Sequence, residues 1–207
     1  LNNCFKSNEE LYKIFQNFKT KINKYKKKSF VIAVSGGSDS LALVALTKFY
    51  EKEESTKNFK YVLINHNIRK NSAKEAKIIK DLLKKNNIKL DIVLNRKKID
   101  KNIQGEARKV RYKLISNYCK KKKIKNLITA HNLEDQVETF FIRLSRGSGL
   151  TGLSSMSHIT ELDKGIRLYR PLLDIKKKDL KKISKFVFKK YISDPSNKNN
   201  KFLRSKI

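Results

Sequence analysis

The sequence is poor in cysteine, proline and tryptophan. Its 207 residues include 2 Cys, 2 Pro and no Trp. Cys4 and Cys119 stand far apart in the chain, so they offer neither a disulfide framework nor the paired spacing of a zinc site. A disulfide-stabilised secreted domain is therefore excluded, and a reducing cytoplasm is the expected location.

Long hydrophobic runs are missing as well. The two longest apolar stretches, residues 30–34 and 41–46, are far shorter than the ~20 residues that a membrane-spanning helix needs. The N-terminal segment lacks the apolar core of a secretory signal peptide. The sequence therefore predicts a protein without a membrane partner.

Acidic residues are scarce. The chain has 19 Asp plus Glu against 50 Lys plus Arg, which gives a net charge of +31. Lysine and arginine bind phosphates and release their counterions, so this imbalance favours a nucleic-acid partner. The alternative is that most of the lysines only keep the surface soluble. Arginine is rare among these cations, and its planar fork suits bidentate contacts with phosphate.

Hydrophobic periodicity predicts strands that alternate with helices. Strands are predicted at residues 30–35, 61–65, 90–94, 127–130 and 167–169. Helices are predicted at residues 7–25, 39–51, 72–86, 104–122, 133–146 and 176–190, the first and third behind capping boxes at Ser7/Glu10 and Ser72/Glu75. A Gly/Ser-rich loop follows residue 146. This order is typical of an α/β fold with a doubly wound, mainly parallel sheet and helices on both faces.

A short loop rich in glycine and serine joins the first predicted strand to a buried helix. Glycine lets the backbone approach an anion, and the helix N-terminus supplies unpaired N–H groups. The loop is not a Walker A sequence, because no Gly-Lys-Ser/Thr follows it. Asp39 would repel a phosphate, so we expect Mg²⁺ to bridge the two. An ordinary turn capped by Asp39 is the alternative. The predicted phosphate-binding residues are Ser35, Gly36, Gly37, Ser38, Asp39 and Ser40.

The helix predicted after the fourth strand has an acidic face. His131, Asp135 and Glu138 are spaced i, i+4 and i+7, which places them on one side of a helix that starts near residue 131. Such a group suits a metal ion or an incoming ammonium group. The alternative is a solvated acidic face. The apolar stripe is expected to face the core and consists of Val137, Phe140, Phe141 and Leu144.

Two further groups of residues are candidates for phosphate or nucleotide contacts. Arg108 and Arg111 are i, i+3 neighbours that could hold a phosphate, or could simply be surface charges. His66 follows the second predicted strand. It is a candidate nucleotide contact or a histidine that is satisfied at a strand end.

The SGGSDS sequence after a hydrophobic strand resembles the signature of the PP-loop ATP pyrophosphatases. Later segments are similar to motifs of one branch, the tRNA(Ile)-lysidine synthetases. They are NHNIR at 65–69, GEARKVRY at 105–112, TAHNLEDQVET at 129–139 with the RGSG that follows, RPLL at 170–173 and DPSN at 194–197. The chain departs from the usual motifs at Asn65, Asn132, Glu134 and Ser205.

The resemblance implies an ATP-dependent ligase. ATP adenylates the C2 oxygen of the wobble cytidine in tRNA(Ile) with anticodon CAU, and free L-lysine then displaces AMP. The implied catalytic residues are Asp39, Asp135, Glu138, His131 and Arg111, with Asp39 and Asp135 as Mg²⁺ ligands. ATP binding is assigned to residues 35–40 and His66, and substrate binding to Arg108, Arg143, Arg146 and Arg204.

The resemblance also implies a domain organisation. We expect a leading helix over residues 1–28, a PP-loop catalytic domain over residues 29–190, and a tail over residues 191–207 that leads toward a tRNA-binding domain. A homodimer stays open. Two other functions remain as alternatives: a PP-loop tRNA thiolase of the 2-thiocytidine type, and a basic RNA-binding module without catalysis.

Overall fold

The computed structural model describes residues 5–67, 71–96, 103–149, 154, 156–163 and 165–189. The helices are α1 (Glu9–Lys24), α2 (Ser38–Glu54), α3 (Ser72–Lys85), α4 (Ile103–Lys121), α5 (Leu133–Ser145) and α6 (Lys177–Phe188). The strands are β1 (Ser29–Val34), β2 (Asn58–Asn65), β3 (Leu90–Leu94), β4 (Asn126–Ile128), β5 (Ile159–Asp163) and β6 (Ile166–Tyr169).

The strands form one sheet in the order β3-β2-β1-β4-β6-β5. All neighbouring pairs are parallel except β5 and β6, which are antiparallel. The chain moves outward from β1 to β3 and then returns to β4 on the other side of β1. The predicted doubly wound, mainly parallel α/β fold is therefore confirmed.

Two hydrophobic cores cover the two faces of this sheet. Side chains alternate along β1, so Phe30 and Ile32 pack into the larger core, whereas Val31 packs into the smaller one. Apolar residues of α1, α2, α3 and α6 fill the larger core. Residues of α4, among them Ile115 and Cys119, fill the smaller one. Burial on both faces explains why the parallel strands have nearly continuous apolar sequences.

The structure corrects several predicted details. Asn8, and not Ser7, caps α1, because its Oδ1 accepts a hydrogen bond from the Leu11 amide at 3.1 Å. Asn71, and not Ser72, precedes α3, and no side chain caps that helix. The sequence prediction also missed β5, a polar edge strand that pairs with β6 alone. A strand of this kind lacks the apolar run that marks the buried parallel strands.

The buried Arg170 holds the chain that leads into β5. Its Nη1 donates to the Ser157 carbonyl oxygen at 2.8 Å and to Thr160 Oγ1 at 2.9 Å. Burial lowers the pKa of its guanidinium group. Hydrogen bonds from Arg170 thus hold β5 in place, although the sequence of β5 lacks an apolar run.

The prediction for the apolar stripe of α5 is wrong. Its four large side chains at 137, 140, 141 and 144 are between 39% and 48% exposed. No residue of the helix is fully buried. The stripe is therefore open in the described part of the structure. Across the described residues, no helix combines the length and the apolar character required to cross a membrane.

Candidate active site

The candidate site lies where the strand order reverses, between β1 and β4. These strands are parallel neighbours, and their connections leave in opposite directions. In an open α/β sheet, this arrangement opens a crevice at the carboxyl ends of the two strands. The loop of residues 35–40 follows β1, and His131 follows β4. The fold therefore brings the two predicted groups of site residues to the same edge.

The loop of residues 35–40 is held by Ser40. Ser40 Oγ accepts hydrogen bonds from the Ser35 and Gly36 amides at 3.2 and 3.1 Å. It donates to the Gly37 carbonyl at 3.0 Å. Gly36 has φ of 86°, a conformation that glycine adopts without strain. The turn is thus shaped before any ligand arrives.

The start of α2 suits an anion. Gly37 is the N-cap residue, and no side chain caps the helix there. The first amides of a helix lack acceptors within the helix, and the dipole makes this end electropositive. Helix starts of this kind bind phosphate readily. The geometry therefore supports the predicted phosphate-binding role of the loop, which stays a prediction until a ligand is seen.

Asn132 connects this loop to α5. Its side chain is fully buried, and its Nδ2 donates to Asp39 Oδ2 at 3.1 Å. Asn132 is also the N-cap residue of α5. Its side-chain Oδ1 accepts a hydrogen bond from the Asp135 backbone amide, and its backbone amide donates one to Asp135 Oδ2, both at 3.0 Å. One asparagine thus holds both acids of the predicted Mg²⁺ site in place.

The sequence marked Asn132 only as a departure from the usual motif. The signal that could have found its role is the pattern Asn-x-x-Asp before an apolar helix, which is a capping box.

Burial and the neighbouring groups shift the pKa of Asp39 in opposite directions. Burial is the largest influence and raises the pKa of its carboxyl group, and the nearby Asp135 adds to this. A hydrogen bond from Ser38 Oγ at 2.9 Å and the positive charges of Lys177 and Lys181 lower the pKa in part. The net effect is a raised pKa, which shows that this carboxylate lacks a full counter-charge.

The described residues contain no cluster of three or more His, Cys, Asp or Glu side chains that could hold a metal by themselves. Mg²⁺ does not need such a cluster, since it commonly takes one or two carboxylates together with phosphates and water. Asp39 and Asp135 fit this requirement, because Asn132 holds both and the charge of Asp135 acts on Asp39. Mg²⁺ would supply charge neutralisation between these acids and the phosphates.

The acidic face is smaller than predicted. α5 begins at Leu133, so His131 precedes the helix and only Asp135 and Glu138 share a helical face. His131 is oriented separately, with its Nδ1 2.8 Å from Thr129 Oγ1. Both His131 and Glu138 are half-buried. His131 thus lies between β4 and α5, and Asp135 and Glu138 lie in the first two turns of α5.

His66 and Arg111 meet at the neighbouring strand end. Arg111 Nε donates to His66 Nε2 at 3.3 Å, which requires a neutral imidazole with its proton on Nδ1. His66 Nδ1 is buried without a hydrogen-bond partner among the described residues. Burial first, and the charge of Arg111 second, lower the pKa of His66 to about 4. The pairing joins two residues that the sequence had suggested separately.

This lowered pKa predicts a specific titration. The chain has three histidines, and the ordinary histidine pKa is about 6.5. Proton NMR should show one imidazole that titrates near pH 4 and whose signal is absent from a His66→Gln variant. Because the folded pKa lies below the unfolded value, the stabilising effect is complete above pH ~6.5 and is lost as the pH falls toward 4. A His66 signal that titrates at pH 6 or above would contradict the assigned geometry.

The predicted substrate-binding arginines are dispersed. Arg108 is exposed and lies over the Tyr112 ring, 5.1 Å from its centroid. Arg143 donates from Nη1 to the Ser154 carbonyl oxygen. Arg146 is the exposed C-cap residue of α5. Arg204 lies outside the described residues.

A residue that sequence reasoning missed supports the same region. Gln136 makes two hydrogen bonds with the backbone of Met156. Its Nε2 donates to the Met156 carbonyl oxygen at 3.0 Å, and its Oε1 accepts from the Met156 amide at 2.6 Å. Together with the bond from Arg143 to Ser154, it ties α5 to the later part of the Gly/Ser-rich segment. No sequence pattern marks this contact, because Gln136 bonds to backbone groups of Met156 that almost every residue type carries.

Comparison with known families matches nearly the whole chain. A family model described as a PP-loop domain matches residues 8–207. The tRNA(Ile)-lysidine synthase of Orientia tsutsugamushi (strain Boryong) is 45% identical over 179 residues, which cover 85% of this chain and 40% of that protein. The enzyme of the same name from Wolbachia sp. subsp. Brugia malayi is 38% identical over 199 residues, which cover 95% of this chain and 46% of that protein. The chain thus spans less than half the length of these relatives.

Solved structures share the fold at low sequence identity. The U34-tRNA thiolase NcsA from Methanococcus maripaludis has a TM-score of 0.74 at 19% identity, over 92% of this chain and 69% of that one. The NH3-dependent NAD synthetase from Campylobacter jejuni has a TM-score of 0.52 at 17% identity, over 86% of this chain and 72% of that one. These similarities support the architecture alone.

Proposed function

The chain belongs to the PP-loop family, and from this premise we propose that it is the catalytic part of a tRNA(Ile)-lysidine synthetase. It uses ATP to join lysine to C2 of the wobble cytidine in a tRNA(Ile) with anticodon CAU. The products are lysidine, AMP and pyrophosphate. The tRNA(Ile)-lysidine synthases that match most of the chain support this proposal. We place the reaction in the cytoplasm, with its tRNA and ATP.

One structural observation carries the proposal. Asn132 joins the phosphate loop to the start of the acidic helix through Asp39 and Asp135. Phosphate chemistry and an anionic seat for an amine therefore share one crevice. A protein that only bound RNA would have no need to hold two half-buried acids at this point, since acids repel the RNA backbone.

In the first step, the C2 oxygen of the cytidine attacks the α-phosphorus of ATP. A new P–O bond forms, the bond to the β-phosphate breaks, and pyrophosphate leaves. The loop at the start of α2 holds the phosphates, and Arg111 steadies the charge that develops beside them. Adenylation is needed because a ring carbonyl oxygen is a poor leaving group.

In the second step, the ε-amine of lysine attacks C2 and AMP leaves with the former ring oxygen. Lysine arrives as an ammonium ion and must lose a proton before it attacks. We assign the ammonium seat to Glu138, the orientation of the substrate to Asp135 and the acceptance of the proton to His131. The hydrogen bond between His131 and Thr129 orients the imidazole, which supports this assignment.

The thiolase alternative is disfavoured by the cysteines. Cys119 is buried in the smaller core, and burial raises the pKa of its thiol to about 11. A thiol of this kind is a poor nucleophile and a poor metal ligand. The chain has only one other cysteine, Cys4, which lies outside the described residues.

Mass spectrometry of a CAU-anticodon tRNA(Ile) tests the proposal directly. Incubation with the protein, ATP and lysine should convert the wobble cytidine to lysidine and release one AMP and one pyrophosphate per modification. Without lysine, adenylated tRNA should accumulate. The RNA-binding alternative predicts bound tRNA with neither product, and the thiolase alternative predicts a mass gain only when a sulfur donor is present. Either result would overturn the proposal.

A further inference from the structure

We propose that Lys177 and Lys181, in the first two turns of α6, bind the β- and γ-phosphates of ATP and then the departing pyrophosphate. This inference rests on the ATP-dependent half of the proposed function. Neither lysine belongs to the residues that the sequence motifs single out, because six lysines lie between 176 and 185, five of them in α6. The tertiary contacts separate these two from the others.

The first contacts place the start of α6 beside the phosphate loop. The Leu133 amide donates to the Ile175 carbonyl at 3.1 Å, and the Lys177 amide donates to Glu134 Oε2 at 2.8 Å. These bonds join the start of α6 to the start of α5. Asn132, at that same start, reaches Asp39 of the loop at 3.1 Å. Three helix N-termini therefore converge on one point.

The side chains are also directed to one side. Lys177 and Lys181 are four residues apart and share a face of α6. The neighbouring face of α6 carries Leu180 and Ile183, which belong to the same core as Leu41 and Leu43 of α2. Lys177 is half-buried and Lys181 is exposed. Both charges act on Asp39 in the first turn of α2 and lower its pKa, so they lie within electrostatic reach of the place where the phosphates are expected.

Other lysines of α1 and α6 form ion pairs with acidic residues, whereas none is seen for Lys177 or Lys181 among the described residues. Lys182 pairs with Glu10 at 2.6 Å, and Lys21 pairs with Asp174. Among the described residues, no carboxylate lies within 4.0 Å of the ammonium group of Lys177 or Lys181. Two ammonium groups near a phosphate loop, without an ion-pair partner, suit the most highly charged part of ATP.

Binding measurements with ATP and with AMP test this inference. In the presence of Mg²⁺, Lys177→Met and Lys181→Met should each weaken ATP binding about tenfold, the size of one lost charge-assisted hydrogen bond. AMP binding should stay within about twofold, because AMP lacks the β- and γ-phosphates. Methionine keeps the apolar stem, so packing is preserved. Lys178→Met is the matched control in the same first turn of α6; its charge is not among those that act on Asp39, and it should change neither affinity.

The comparison of the two nucleotides makes the outcome decisive. Equal weakening of ATP and AMP binding would indicate a structural role, and unchanged ATP binding would place the phosphates elsewhere. Either result overturns the inference. Lys181→Arg should keep part of the ATP affinity that Lys181→Met loses, since arginine keeps the charge. The test needs no tRNA, so a failure to form lysidine would refute the proposed function and leave this result standing.

Discussion

Replacing Asp39 with Asn is expected to lower the rate of pyrophosphate release by roughly 10²–10³-fold, the scale on which the loss of a single electrostatic contact to a transition state acts. The carboxylate at this position makes sense beside a triphosphate only through a bridging cation. Asn lacks the negative charge that holds Mg²⁺. The measurement is pyrophosphate release at saturating Mg²⁺, ATP and tRNA.

The fold should tolerate this substitution. Asn at 39 still offers an oxygen to the Asn132 amide, and its own amide can donate to Ser38. Burial already disfavours the charged form of Asp39, so removing the charge does not destabilise the loop. The melting temperature should stay unchanged. Asp81→Asn, at an exposed position on α3, is the control and should leave pyrophosphate release unaffected. Near wild-type release by Asp39→Asn would refute the assignment.

Replacing Glu138 with Gln should damage the second half-reaction far more than the first. Gln keeps the size of Glu and one acceptor oxygen, but it cannot neutralise an ammonium ion. We expect lysine to resolve the adenylated tRNA roughly 10²-fold more slowly, which is the lower range for loss of one positioned acid or base. Adenylation should remain within a few-fold of wild type. Single-turnover reactions with radiolabelled ATP separate the two steps.

Glu134→Gln is the matched control for this experiment. Glu134 is an exposed acid one helical turn earlier, and it accepts the Lys177 amide. Gln at 134 still offers an acceptor oxygen for that bond, so only the charge is lost. The lysine step should be close to normal in this variant. If Glu138→Gln slows both steps equally, or slows neither, Glu138 is not the ammonium seat.

Local sequence patterns determined most of the secondary structure. The strand at residues 90–94 matches β3 at both ends, and the other predicted elements that the structure contains differ from it by a few residues at their ends. Buried parallel strands carry continuous apolar runs, and helices carry a 3.6-residue period, so both signals lie within the elements themselves. The loop of residues 35–40 was also identifiable, because its glycines and its position between strand and helix are local features.

The tertiary structure alone decided which side chains meet. Asn132 bonds to Asp39 across 93 positions in the chain, and Lys177 is set apart from its neighbouring lysines only by the place where α6 begins. The exposed apolar stripe of α5 is a second example. Its helical periodicity predicts that the helix has one apolar face, but it does not tell whether another element covers that face. Periodicity and capping depend on neighbours within about four residues. Contacts between strand ends and helix starts depend on strand order, which only the folded sheet establishes.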